Sequence, residues 1–162
     1  MSIRTVAAEA GWSAGALQKT FSSKEELLTA AVHRMSEQVQ ARMAALPVSG
    51  DLAADVVAVV QETLPLDARR REEALVWTAV AGRAATVSWM AEILVEQDVM
   101  VLGHLAAVIA AARPQEPDPG AVADAVVALA DGWAIRLLYA PHSEEVVRRG
   151  LTRALDLLLQ LD

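Results

Sequence analysis

The chain has 162 residues and a mass of 17.2 kDa, the size of one domain, or of one domain with a small attached module. Hydrophobic residues make up 54% and charged residues 22%, which supports a packed core and excludes a disordered chain. The net charge of −7 is unevenly divided: residues 1–45 carry five basic and four acidic side chains, the remainder nine basic and seventeen acidic. The acidity belongs to the second part, so it does not veto nucleic-acid binding by the first.

Alanine, the best helix former, occupies 33 positions, aromatics are 4%, and no alternating run of strand length occurs; the fold is expected to be all-α. The first helix is predicted at about residues 3–10, with Ser2 as cap and Gly11 as stop. The second follows Ser13, at about 14–21. The third starts at Ser22 or Ser23, where Ser23 and Glu26 have capping-box spacing, and runs to about Leu46 before Pro47 and the Val48-Ser49-Gly50 turn. Further helices are predicted at about 51–64, 68–85 and 88–113. After the Pro114–Gly120 loop, two more are expected at about 121–139 and 143–161. The domains implied are residues 1–46 and 47–162.

Within this scheme the last two helices are apolar on more than one side. Val147, Leu151, Ala154, Leu158 and Leu161 form a coiled-coil-like seam. In the helix before it, Val122, Val126, Leu129 and Trp133 form one stripe, and the small residues Ala123, Val127, Ala130 and Ala134 another. A helix apolar nearly all round needs cover from two directions. The core is expected to take the first stripe and a partner chain the small one, giving a homodimer through about 121–139 and 143–161.

The absence of cysteine removes disulfides, thiolate metal sites and thiol nucleophiles, and fits a cytoplasmic protein. The N-terminus lacks the pattern of a signal peptide. The most apolar stretch, Val99 to Ala112, is 14 residues and short of a membrane span, so it is read as a buried helix. His33, His104 and His142 lie on separate elements and make no metal pair. With no phosphate loop, no nucleophile elbow and no paired carboxylates, neither an enzyme nor a bound cofactor is expected.

What does carry function is the spacing of Ala7, Gly11 and Leu17. It suits a helix-turn-helix: a small residue where the second helix crosses, a glycine for the reversal, and a leucine plugging the second helix onto the first. The wider string, Thr5-Val6-Ala7-Ala8-Glu9-Ala10-Gly11-Trp12-Ser13-Ala14-Gly15-Ala16-Leu17 followed by Phe21-Ser22-Ser23-Lys24-Glu25-Glu26-Leu27-Leu28, closely resembles the DNA-binding domain of the TetR family of bacterial repressors. The resemblance covers about residues 2–45. Downstream, Leu64 to Trp77 and Leu129-Ala130-Asp131-Gly132 look like the C-terminal domain of the BetI-type subgroup, which includes choline-responsive repressors.

The resemblance implies a homodimeric, ligand-responsive repressor on palindromic double-stranded operator DNA. It implies that Ser13, Ala14, Gly15, Ala16, Gln18 and Lys19 face the DNA and that Lys24 contacts phosphate. Gln18 stands where the family usually has tyrosine, which bears on the operator sequence rather than the binding mode. Family members also carry a helix before the string that begins here at Ser2. The competing expectation is therefore a helical dimer that binds a ligand or partner but has lost DNA binding with that helix.

For the inducer, the aromatic faces and neighbouring carboxylates of the acidic part suit a small cation. Trp77, Trp89, Met100, His104 and Trp133 are the expected pocket residues, with Glu92 and Glu96 on the same helix face as Trp89, Met100 and His104. Asp131, inside an apolar helix, needs a partner, for which Arg136 or a donor across the interface is the candidate. Twelve arginines, two lysines and no asparagine hint at a GC-rich bacterial genome.

Overall fold

The computed structural model describes residues 3–140 and 142–158. Its elements are α1 (Ile3–Glu9), α2 (Ala14–Thr20), α3 (Lys24–Ala44), α4 (Leu52–Thr63), α5 (Ala68–Ala84), α6 (Ser88–Ala112), α7 (Pro119–Tyr139) and α8 (Glu144–Leu158). Among the described residues there is no strand. They divide into two compact units between Gln38 and Val39, inside α3, eight residues before the domain boundary expected from Pro47. The C-terminal turns of α3 thus belong with the second unit.

Local chemistry sets most helix starts. The carboxylates of Asp51, Asp67 and Asp118 accept the N–H of Ala54 (3.1 Å), Arg70 (2.8 Å) and Ala121 (2.9 Å), each satisfying a donor that has no partner within its helix. Helix α7 begins two residues earlier than predicted, because Pro119 lies in its first turn. Proline is tolerated there, since its missing N–H would have had no partner within the helix. Gly50, at φ +88°, reverses the chain before α4.

The core of the second unit is one cluster. Val56, Val57, Val60 and Leu64 of α4 meet Ile109 of α6, Ala123, Val126, Ala130 and Leu137 of α7, and Val147, Leu151 and Leu155 of α8. Leu64, Leu151 and Leu155 are completely buried, each worth about 1.5–3 kcal/mol in apolar burial. Helix α6 with α7 is the most extensive helix pairing among the described residues.

This packing corrects two expectations. Ala123 and Ala130, assigned above to a partner chain, are buried in the chain's own core, and the α8 seam through Val147 and Leu151 is covered from within the chain. Leu161 lies outside the described residues. Hydrophobic periodicity identifies a face that must be covered but not the element that covers it. The second correction concerns α6. At 25 residues it has the length and hydropathy of a membrane span, yet less than a fifth of its most apolar eighteen-residue window is buried. Its outer face exposes Val95, Val99, Met100 and Val108.

Candidate nucleic-acid interface

In the first unit, α1 and α2 are joined by a tight turn whose geometry follows from three residues. Ala7 and Leu17 are buried, one at the close approach and the other plugging α2 onto α1. Gly11 takes φ +68°, a left-handed conformation that a side chain would strain. Trp12 N–H donates to the Ala7 carbonyl at 2.8 Å, closing the turn. Ser13 then caps α2, its hydroxyl accepting from Ala16 N–H at 3.1 Å.

These contacts leave the opposite face of α2 free. Ser13, Gly15, Ala16, Gln18 and Lys19 are exposed and Ala14 is half-buried. The face is narrow and polar, and its smallest positions, Gly15 and Ala16, permit close approach of a phosphate backbone. Lys24 is exposed at the first turn of α3. The predicted cap of α3 forms with a variation: Ser23 accepts from Glu26 N–H at 3.0 Å, while the Glu26 carboxylate takes both the N–H and the hydroxyl of Ser22 at 2.7 Å. Those two hydrogen bonds, the hydroxyl first, hold the Glu26 carboxyl below its usual range. The cap thereby fixes the turn that delivers Lys24. Trp12, in the turn itself, is exposed.

The second unit holds a polar network that sequence spacing did not reveal. Arg42, in the last turn of α3, donates from Nε to Glu62 of α4 at 3.0 Å and from Nη1 to Glu73 of α5 at 3.0 Å, with a further bond from Nη2 to Glu73. Arg70 donates to the Gln61 carbonyl at 2.9 Å, to Glu62 at 3.3 Å and to Asp67 at 2.8 Å. Glu73, chiefly, and Glu62 hold the Arg42 guanidinium more firmly protonated than usual, against the opposing effect of burial. The network ties the end of α3 to the α4–α5 elbow. Its partners are 20 and 31 residues apart, so helix periodicity carries no signal of it; the only hint was the charge run Arg69 to Glu73.

The residues expected to hold an inducer are not gathered around one cavity. Trp77, Trp89 and Trp133 are half-buried on α5, α6 and α7, while Met100 and His104 lie exposed on the outer face of α6 with Glu92 and Glu96. Trp133 meets His142 edge to face at 6.3 Å, and the Arg136 guanidinium lies 5.9 Å from its centroid. That ring therefore already carries a cation of its own chain. A cavity of about 530 Å³ lies elsewhere, between α4 and α8, with Val57, Gln61, Thr152 and Asp156 among its lining residues. Asp131 does not pair with Arg136. Its carboxyl is pushed up by burial and then by Asp98, and Asp98 is pushed up by burial and then by Asp124. Among the described residues no group of histidines and carboxylates could hold a metal ion.

A reader helix set on an alanine–glycine–leucine turn, followed by a long capped helix, meets matching relatives. Residues 1–31 match the family of bacterial regulatory proteins described as tetR, and residues 52–160 match the BetI-type transcriptional repressor C-terminal family. The chain belongs to the TetR family of transcriptional regulators. A solved transcriptional regulator from Rhodococcus sp. Rha1 is 32% identical, with a TM-score of 0.89 over 98% of this chain and 85% of its own. A TetR-family transcriptional regulator from Rhodococcus sp., at 22% identity, shares the fold with a TM-score of 0.85 over 98% of this chain and 87% of its own. No protein of curated function matches. As a TetR-family regulator the chain is a non-enzymatic DNA-binding transcription factor.

Proposed function

We propose that this TetR-family regulator is a ligand-responsive repressor that holds palindromic operator DNA as a homodimer in the cytoplasm. The observation that carries this reading is the free face of α2, with Ser13, Gln18 and Lys19 exposed while Ala7 and Leu17 seat the helix from behind. In a helix-turn-helix the second helix enters the major groove while the first crosses the backbone. Gln18 is the residue able to read a base edge bidentately, and Lys19 and Lys24 are suited to phosphate. The two half-sites are about one helical turn apart or slightly more.

The inducer in this reading is a small cation bound among the helices of the second unit, with the half-buried Trp77 of α5 and Trp89 of α6 as first candidates for its contacts. Its binding shifts a population in which α3 takes two settings, and Arg42 is the joint through which α4 and α5 act on that helix. The dimer forms through α7 and α8.

The test is fluorescence anisotropy of labelled DNA from around the gene, at near-physiological salt. It uses this chain and a form extended by the in-frame residues upstream, with choline and tetramethylammonium as inducer probes. Competitor-resistant binding by at least one form, with release on adding a probe, is expected. Specific binding by neither form overturns the repressor reading, and DNA affinity indifferent to every ligand that binds the protein overturns the inducer mechanism.

A further inference from the structure

Helix α8 has three sides with different neighbours. Val147, Leu151 and Leu155 fill the core and Gly150 meets Trp133 of α7. On the side opposite Gly150, Arg148, Thr152 and Asp156 recur every fourth residue and turn towards α4. The flank of α4 that faces them carries Ala54, Ala58 and Gln61. Alanine and threonine are too short to close the space between two helices held apart by the larger core residues beneath. A groove of about 530 Å³ therefore remains over Val57, within the roughly 300–1,000 Å³ of small-molecule sites. Among the described residues its walls come from α4, its Asp51 cap and α8, so it is separate from the tryptophans of α5 and α6.

The two ends of the groove differ chemically. Arg71, at the start of α5, donates to the Leu138 carbonyl near the end of α7 at 2.9 Å, and Arg70 donates to the Gln61 carbonyl at 2.9 Å. The end of α4 therefore lies by the end of α7, where α8 begins, and α4 runs antiparallel to α8. Gln61 is thus level with Arg148, and Asp51 with Asp156. The first end is rich in donors. Glu145 takes Nε and Nη2 of Arg148 at 3.1, 2.9 and 2.8 Å, which leaves the N–H groups of Nη1. Gln61 Nε2 is buried and has no hydrogen-bond partner among the described residues. Rotation about the soft terminal torsion of its side chain turns it to the groove, and an acceptor brought there relieves an unsatisfied amide. The second end holds carboxylates: Asp156 is half-buried, and Asp51 spends Oδ1 on the Ala54 N–H at 3.1 Å, which leaves Oδ2.

We propose that this groove binds a short zwitterion, its carboxylate at Arg148 and Gln61 and its ammonium at Asp51 and Asp156. The site is distinct from the inducer contacts given above and stands whether or not that reading holds. Asp51 and Gln61 are ten residues apart on α4, about 15 Å along the axis, and Arg148 and Asp156 are eight apart on α8, about 12 Å. A ligand with its charges about 8–10 Å apart spans that length with a hydrogen bond of about 2.8 Å at each end. An extended tripeptide with free ends and a straight-chain ω-amino acid of eight carbons both have this spacing, about 10 Å by ordinary bond lengths. The floor of Ala54, Val57 and Ala58 takes the apolar groups between the ends. A ligand with one charge alone matches one end only: an amine leaves the Gln61 amide without an acceptor, and a carboxylate leaves the aspartates without a cation.

The experiment is isothermal titration calorimetry of the full chain with trialanine and with 8-aminooctanoate. Saturable binding of one equivalent of at least one of them is expected, with octylamine and octanoate each at least about tenfold weaker. Binding of trialanine alone identifies a peptide ligand, and binding of 8-aminooctanoate alone a plain aliphatic one. Asp156→Asn is expected to weaken binding about tenfold. Ala58→Met fills the groove with a good helix former and is expected to abolish binding, with circular dichroism melts reporting that both variants fold. A readout that needs no variant to fold is the side-chain amide NMR signal of Gln61 in the unmodified chain, expected to shift on saturation. No saturable binding of either zwitterion overturns the proposal. So does octylamine or octanoate binding as tightly as the zwitterion, affinity unchanged in either folded variant, or a Gln61 amide signal that does not move.

Discussion

Replacing Arg42 with methionine should destabilise the second unit far more than removing an ordinary surface arginine. Arg42 makes four hydrogen bonds, two to the Glu73 carboxylate, one to the Glu62 carboxylate at 3.0 Å and one to the Glu62 carbonyl at 3.4 Å. Its side chain is 21% exposed and those of Glu62 and Glu73 are 21% and 16%. Each charge-assisted bond is worth roughly 1.5–3 kcal/mol in mutational series. The sum is not lost, because Glu62 keeps Arg70 and Glu73 keeps Arg69, and water still reaches the site. A net cost of about 2–3 kcal/mol follows, or a fall in Tm of about 5–10 °C for a chain of this size. The control is Arg34→Met, whose pair with Glu37 spans one helical turn at 71% and 64% exposure and is worth only about 0.3 kcal/mol. Thermal unfolding followed by circular dichroism at 222 nm measures both. A double-mutant cycle with Glu73→Gln should show a coupling of about 1 kcal/mol or more. If Arg42→Met melts with Arg34→Met, or the cycle is additive, the network is not the joint that fixes the end of α3.

Three further outcomes are expected. On operator DNA, Lys19→Ala and Lys24→Ala should each weaken binding to all sequences and lower the slope of log affinity against log salt by about 1, whereas Gln18→Ala should change base preference by about 1–3 kcal/mol at one position; salt titrations and a binding-site selection check them. Asp67 is held below its usual range chiefly by the Arg70 backbone N–H, then by the Arg70 charge. A carboxyl whose folded value is depressed contributes stability above its unfolded value, 3.8 here, and loses it as pH falls through the folded value. Asp67→Ala should therefore cost about 1 kcal/mol at pH 7, and Asp67→Asn should keep most of the cap while flattening the acid limb below pH 3.8, both read in urea titrations across pH. Gly150→Ala gains roughly 1 kcal/mol in helix propensity but sets a Cβ 2.9 Å from the Trp133 ring edge. With overpacking costing about 1–3 kcal/mol, the variant should be less stable by about 1 kcal/mol and show altered tryptophan emission.

The sequence by itself determined the order of the helices found among the described residues, because caps, prolines and glycines act within a turn of the positions they occupy. Gly11 ends α1, Ser13 starts α2, and the third helix begins at the Ser23–Glu26 cap. It also located the helix-turn-helix, since Ala7, Gly11 and Leu17 suit the turn and the wider string from Thr5 to Leu28 resembles the DNA-binding domain of the TetR family. Only the tertiary structure decided which apolar stripe meets which. Ala123 and Ala130 turned inward, while Ile135 and Tyr139, a few residues on, remained outside, a choice set by where α6 and α8 pack and not by α7 alone. The Arg42 network arises the same way. It joins residues distant in sequence, and only the folded chain brings Arg42 within hydrogen-bond range of Glu73, where partial exclusion of water gives an ion pair its strength.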